Sequence, residues 1–145
     1  MGKTKNVFIQ GAITPDFIAN SIAKHQSKTS IGAHNIFLGQ VRADTIDGKT
    51  VTAIEYSAYE EMANKAFYDI RESIFDTYEI TCMHIYHSLG EVKTGEVCLF
   101  VFVSAPHRRV VFEALETIVE AIKEKAPVFG KELFDNDTHQ WKVNQ

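Results

Sequence analysis

The run Val97-Cys98-Leu99-Phe100-Val101-Phe102-Val103, continued by Ser104-Ala105-Pro106-His107-Arg108-Arg109, decides how this chain is read. Seven apolar residues without a break have the length and character of a strand buried on both faces. The period then changes, and an amphipathic helix is predicted over about 110–125. Pro106 suits a first helical position, where its missing N–H costs nothing, and Ser104 or Ala105 would hold the cap. A buried strand therefore delivers one histidine and two arginines to a helix start. The unbonded N–H groups of a first turn, the positive end of the helix dipole and the guanidinium groups all attract an anion. A solvated helix start with two surface arginines is the plainer alternative.

Outward from this stretch, 145 residues of which 45% are hydrophobic suffice for one packed core and are too few for two full domains, so a single domain over 1–145 is expected. No stretch approaches the roughly 18 apolar residues of a membrane span, and a cytoplasmic setting is expected. The formal net charge of −4 argues against a general nucleic-acid binder. An acidic chain that handles anions must gather its lysines and arginines in one place. Cys82 and Cys98 each lie inside an apolar strand-like run, which fits buried structural thiols better than a disulfide or a reactive sulfur.

Residues 7–10 read as a short strand, and Thr14-Pro15-Asp16 supplies a cap, a first-turn proline and a first-turn acid for a helix over about 15–26. A strand over 34–38 runs into Gly39-Gln40-Val41-Arg42, which places Arg42 at the rim of the sheet. Residues 43–50 read as a loop turning at Asp47-Gly48 before a strand over 51–59. A second helix is predicted from 60 to about 78, with Phe67, Ile70 and Ile74 on its apolar stripe. A strand over 80–87 precedes a turn at Ser88-Leu89-Gly90. After the third helix, Ala126-Pro127 ends it, 128–134 is loop or strand, and 140–143 forms a last strand. The order is an α+β pattern with hairpins and a mixed, largely antiparallel sheet.

No nucleophile elbow, phosphate-cradling loop or Cys/His metal cluster is legible. His84 and His87 stand three apart on a strand and so point to opposite faces, and no metal site is expected from them. What remains is basic: Arg42, then His107, Arg108 and Arg109 at a helix start, then Lys123, Lys125 and Lys131 around a helix end.

Four segments together resemble one family, the catalytic (large) subunit of molybdopterin synthase. They are Phe37-Leu38-Gly39-Gln40-Val41-Arg42, then Glu55-Tyr56-Ser57-Ala58-Tyr59-Glu60-Glu61-Met62-Ala63, then Ser104-Ala105-Pro106-His107-Arg108. The last is Lys123-Glu124-Lys125-Ala126-Pro127-Val128-Phe129-Gly130-Lys131-Glu132, followed by Trp141. Their order and approximate spacing match over about residues 7–143. The resemblance implies an α/β-hammerhead type of fold. It also implies insertion of two sulfurs into cyclic pyranopterin monophosphate, without a resident cofactor or metal. The sulfur comes as a C-terminal thiocarboxylate on the Gly-Gly tail of a small ubiquitin-like partner, and the assembly is a homodimer of large subunits inside a heterotetramer.

As the resemblance implies, Lys123 contacts the thiocarboxylate, and His107, Arg108 and Arg42 hold the substrate phosphate or another anion. The family's second lysine falls at Gly130, which makes Lys131 the nearest amine, and Ser88 stands where the family usually carries an arginine. Local positive charge is also what a thiocarboxylate and a phosphate, both anions, require in order to meet. Sixteen residues of helix at about 1.5 Å each would separate His107 from Lys123 by roughly 24 Å, so a site using both is expected to be shared between two subunits of a dimer. The competing reading is a non-catalytic anion- or phosphometabolite-binding module on the same fold.

Overall fold

In the computed structural model, residues 5–143 are described and form three helices and eight strands. The order is β1 (Phe8–Gln10), α1 (Pro15–His25), β2 (Ala33–Gln40), β3 (Thr45–Ile46), β4 (Lys49–Ala58), α2 (Glu60–Thr77), β5 (Cys82–Lys93), β6 (Val97–Ala105), α3 (Arg108–Lys125), β7 (Val128–Phe134) and β8 (His139–Trp141). The strands make one sheet in the order β2-β6-β5-β4-β7-β8, with β1 beside β5 and β3 beside β4. Among the described pairings only β1 with β5 is parallel. This is the single-domain, three-helix α+β arrangement that the sequence predicts.

Strand β6 has no polar face because helices cover both of its sides. Phe100 and Phe102 pack with Phe17, Ile18 and Ile22 of α1. Leu99, Val101 and Val103 point the other way, into a core shared with Ile70 and Ile74 of α2 and Val111, Leu115 and Ile118 of α3. An unbroken apolar run is usual for parallel sheets wrapped by crossover helices; here the same double cover acts on an antiparallel strand. Each large side chain so buried contributes about 1.5–3 kcal/mol relative to exposure.

The structure corrects several boundaries. Ser104 and Ala105 do not cap α3; they complete β6 opposite His34 and Ala33, and the Ser104 hydroxyl bonds His34 Nδ1 at 2.7 Å. His107 occupies the N-cap with no side-chain cap bond, so the helix opens at Arg108. The turn expected at Ser88-Leu89-Gly90 is strand instead. Positive φ at Gly90 (82°) lets β5 bend as it leaves β6 for β4, while β1 pairs with residues 87–89. The loop over 43–50 contains β3, paired to β4 across Asp47-Gly48, both at positive φ as such a hairpin turn demands. The cap expected for α1 is present, with Thr14 Oγ1 accepting from Phe17 N at 3.2 Å.

The entry to β2 is set by a close approach. Gly32 N donates to Ala105 O at 3.0 Å, and a Cβ on Gly32 would stand 2.1 Å from the Pro106 carbonyl oxygen. Because that neighbour is backbone, Gly32→Ala must displace the β6–α3 corner, and a loss of about 1–3 kcal/mol in urea unfolding is expected. An unchanged midpoint would contradict this packing.

Candidate functional site

Helix α3 ends where Ala126, preceding Pro127, leaves the helical region (φ −83°, ψ 125°). The chain then turns straight into β7, and a cleft of about 420 Å³ opens between the helix end and the sheet. Lys123 enters it from the last turn of α3, Gln40 from the end of β2 and Tyr56 from β4. His87 and Cys98 form part of its wall, and Lys142 reaches it from the residue after β8. Cations in a last helical turn are favoured by the helix dipole, which helps keep Lys123 where it stands.

The wall is a chain of polar contacts set in apolar surroundings. Tyr56 OH donates to Cys98 Sγ at 3.3 Å, and that sulfur is 3.4 Å from the Gly39 carbonyl oxygen. Burial first, then Cys98 and Glu132 nearby, raise the Tyr56 pKa, so its phenol stays protonated. His87 Nδ1 donates to Ser88 O at 2.8 Å, since a carbonyl can only accept, and Nε2 keeps its lone pair. Burial pushes the His87 pKa down to about 4; the Ser88 bond opposes this and the Lys123 ammonium adds to it. The cleft thus sets an ammonium near a neutral imidazole, a combination suited to an anion whose charge shifts during reaction.

The residues singled out from sequence do not all meet here. Lys123 lines the cleft. Lys131 does not; its amine lies 3.4 Å from Glu55 and over the Trp141 ring. Strand alternation explains this, because Gly130 pairs with Tyr56 on the cleft side while Lys131 pairs with Glu55 on the other. A Cβ on Gly130 would come within 3.0 Å of Ile54 and 3.3 Å of the Tyr56 ring, so the glycine leaves that ring its space. Arg42 is exposed beside Asp44, 3.3 Å away. His107 and Arg108 are exposed at the far end of α3, roughly 24 Å from Lys123 by the rise of the helix. Ser88 is fully buried and lines no part of the cleft.

Sequence reasoning missed Tyr56, His87, Cys98 and Lys142 as site residues. The signal for Lys142 was its place after Trp141: its N–H bonds Gly130 O at 2.8 Å, which puts an amine-bearing residue beside the glycine.

The structure is thus a three-helix α+β domain with a lysine-bearing cleft at a helix end. Comparison with known proteins narrows the class. Residues 13–125 match the family model described as MoaE protein. The molybdopterin synthase catalytic subunit of Pyrococcus abyssi is 38% identical over 135 residues, covering 93% of this chain and 89% of that one. Its counterpart in Bacillus subtilis is 36% identical over 125 residues, covering 86% and 78%. In Drosophila grimshawi the identity is 38% over 117 residues, which is 79% of this chain and 32% of the longer relative. The molybdopterin synthase structure from Staphylococcus aureus superposes with a TM-score of 0.81 at 27% identity over 99% of both chains. The chain belongs to the MoaE family, the catalytic subunits of molybdopterin synthase, and is an enzyme of molybdenum cofactor biosynthesis. This removes the non-catalytic binding module as a reading.

His87 gives the fold a pH signature. Its folded pKa, about 4, lies below the ordinary 6.5, so as pH falls the unfolded chain takes up the proton first. Stability is indifferent to His87 above about pH 6.5 and declines between there and pH 4. Between pH 7 and pH 5 the loss from this residue is about 2 kcal/mol. Urea unfolding of His87→Phe at the two pH values should show a difference smaller by about that amount, and an equal difference would rule out a buried neutral imidazole.

Proposed function

We propose that the chain transfers two sulfurs to cyclic pyranopterin monophosphate in the cytoplasm, taking each from the C-terminal thiocarboxylate of a small ubiquitin-like subunit ending in Gly-Gly. The observation that most supports this is the meeting of Lys123 and Lys142 in one cleft with an apolar mouth. Phe129 and Trp141 border it and remain 42% and 57% exposed, and Tyr59 packs edge-on against Phe129. Exposed aromatic groups at the rim of a charged cleft suit a protein partner that threads a short tail inward. A solved relative from Helicobacter pylori, described as a complex of subunits 1 and 2 of molybdopterin-converting factor, shares the fold with a TM-score of 0.79 at 22% identity.

In this reading the tail carboxyl end lies against Lys123. The thiocarboxylate sulfur first bonds to a carbon of the pterin side chain, whose oxygen leaves as water, and an acyl thioester results. Water then attacks the acyl carbon, and the ammonium stabilises the oxyanion that develops. Collapse breaks the carbon–sulfur bond to leave a carboxylate on the tail and a thiolate on the pterin. Lys142, beside Gly130, takes the part of the second amine in preference to Lys131, which Glu55 engages. His107, Arg108 and Arg42 hold the substrate phosphate. Because α3 separates His107 from Lys123, His107 and Arg108 come from the second subunit of a homodimer, within a heterotetramer completed by two small subunits.

Reconstitution with a thiocarboxylated small subunit tests the roles. Lys123→Ala should lower the transfer rate by about 10²–10³ with small-subunit binding retained. Lys142→Ala should cost more than Lys131→Ala; the reverse order would return the second amine to Lys131. The shared site has its own test. Mixing inactive Lys123→Ala with inactive His107→Ala/Arg108→Ala should restore part of the activity, since one of the two sites in a mixed dimer is intact. Full inactivity of verified mixed dimers would place both groups in one subunit's site.

A further inference from the structure

On the α1 side of the sheet, away from the cleft, His25, Cys82 and His84 bring their ligand atoms together, all within 4.8 Å of one another. Strand alternation puts Cys82 and His84, two apart on β5, on the same face, and His25 is the last residue of the helix lying over it. His25 and Cys82 are buried, and His84 is half-buried. His25 Nδ1 lies 2.7 Å from the Ser21 carbonyl oxygen and must donate to it, which fixes the ring and leaves the Nε2 lone pair facing inward. That nitrogen is 3.0 Å from His84 Nε2. A histidine held through one nitrogen by a backbone carbonyl, with the other directed at neighbouring donors, is the arrangement that orients metal ligands.

We propose that His25, Cys82 and His84 bind one thiophilic divalent cation of the zinc class, with a fourth position open to water. Metal–nitrogen bonds of about 2.0–2.1 Å and a metal–sulfur bond of about 2.3 Å set tetrahedral donors roughly 3.3–3.6 Å apart, so the two nitrogens part slightly from their 3.0 Å contact while the longer separations, up to 4.8 Å, close. A cation also resolves the contact between the two imidazoles, which without it requires one to donate to the other. Access comes along the edge of β5: β1 covers only residues 87–89, and among the described residues no strand pairs with that edge at 82–86. The sequence offered no such site because it was sought between His84 and His87, whereas the second histidine comes from α1. Lys28, an exposed residue, places its amine 2.9 Å from Cys82 Sγ and is the group an incoming cation displaces. The site ties the end of α1 to β5 and takes no part in sulfur transfer.

The test is cobalt(II) titration of the tag-free, metal-stripped chain under reducing conditions. The expected result is a thiolate-to-cobalt charge-transfer band with tetrahedral ligand-field bands, saturating at one ion per chain and bleached by zinc, with a raised melting temperature. Cys82→Ser should abolish the charge-transfer band and Cys98→Ser should keep it. His84→Ala should weaken zinc binding by more than the roughly 10–100-fold that loss of an outer-shell partner costs. Lys28→Ala, a surface change that leaves the core intact, should tighten binding severalfold. A cobalt spectrum without a thiolate band, a band that survives Cys82→Ser, or unchanged affinity in Lys28→Ala would overturn the proposal.

Discussion

Strand β6 is sealed on both faces, with Phe100, Val101, Phe102 and Val103 at or below 1% exposure, and the rest of the chain is arranged to keep it so. One face requires α1 and the other requires α2 and α3, so a single strand dictates where all three helices lie. Its end then dictates the rest. Where β6 stops at Ala105, the chain turns into α3, and α3 carries the next basic group to the opposite end of the molecule. The separation of His107 from Lys123 follows from covering β6 with a helix of 18 residues.

That separation gives the cleft its character. Lys123 sits where a helix ends, a strand begins and the sheet's neutral polar groups face inward. His87 is kept uncharged by burial and Tyr56 is kept protonated, so the part of the wall these two form is neutral. An anion entering the cleft meets positive charge in low-dielectric surroundings, where its attraction is strongest. The aromatic rim of Phe129 and Trp141 gives that anion a reason to arrive attached to a protein.

Much of this was legible in residues 97–109 and in the spacing of α3. The double burial of β6, the helix ends at Pro127 and Thr14, and the Asp47-Gly48 hairpin all follow from local rules. The missed features depend on which strands become neighbours. Ser88 to Gly90 looked like a turn because β1, far away in the chain, covers it only after folding. Lys131 looked like the substitute for the lysine absent at Gly130 because distance was counted along the chain; alternation in β7 turns it toward Glu55, and cross-strand pairing brings in Lys142. His25 and His84 meet across 59 positions, beyond any local pattern.

Whether the cleft at the end of α3 receives the partner's tail is decided by a crystal structure of the chain with a small subunit ending in Gly-Gly. The terminal carboxylate should lie inside the cleft, within about 2.7–3.2 Å of Lys123 Nζ, with the tail passing Phe129 and Trp141. A tail that ends at His107 and Arg108, or that stops outside the aromatic rim, would contradict it.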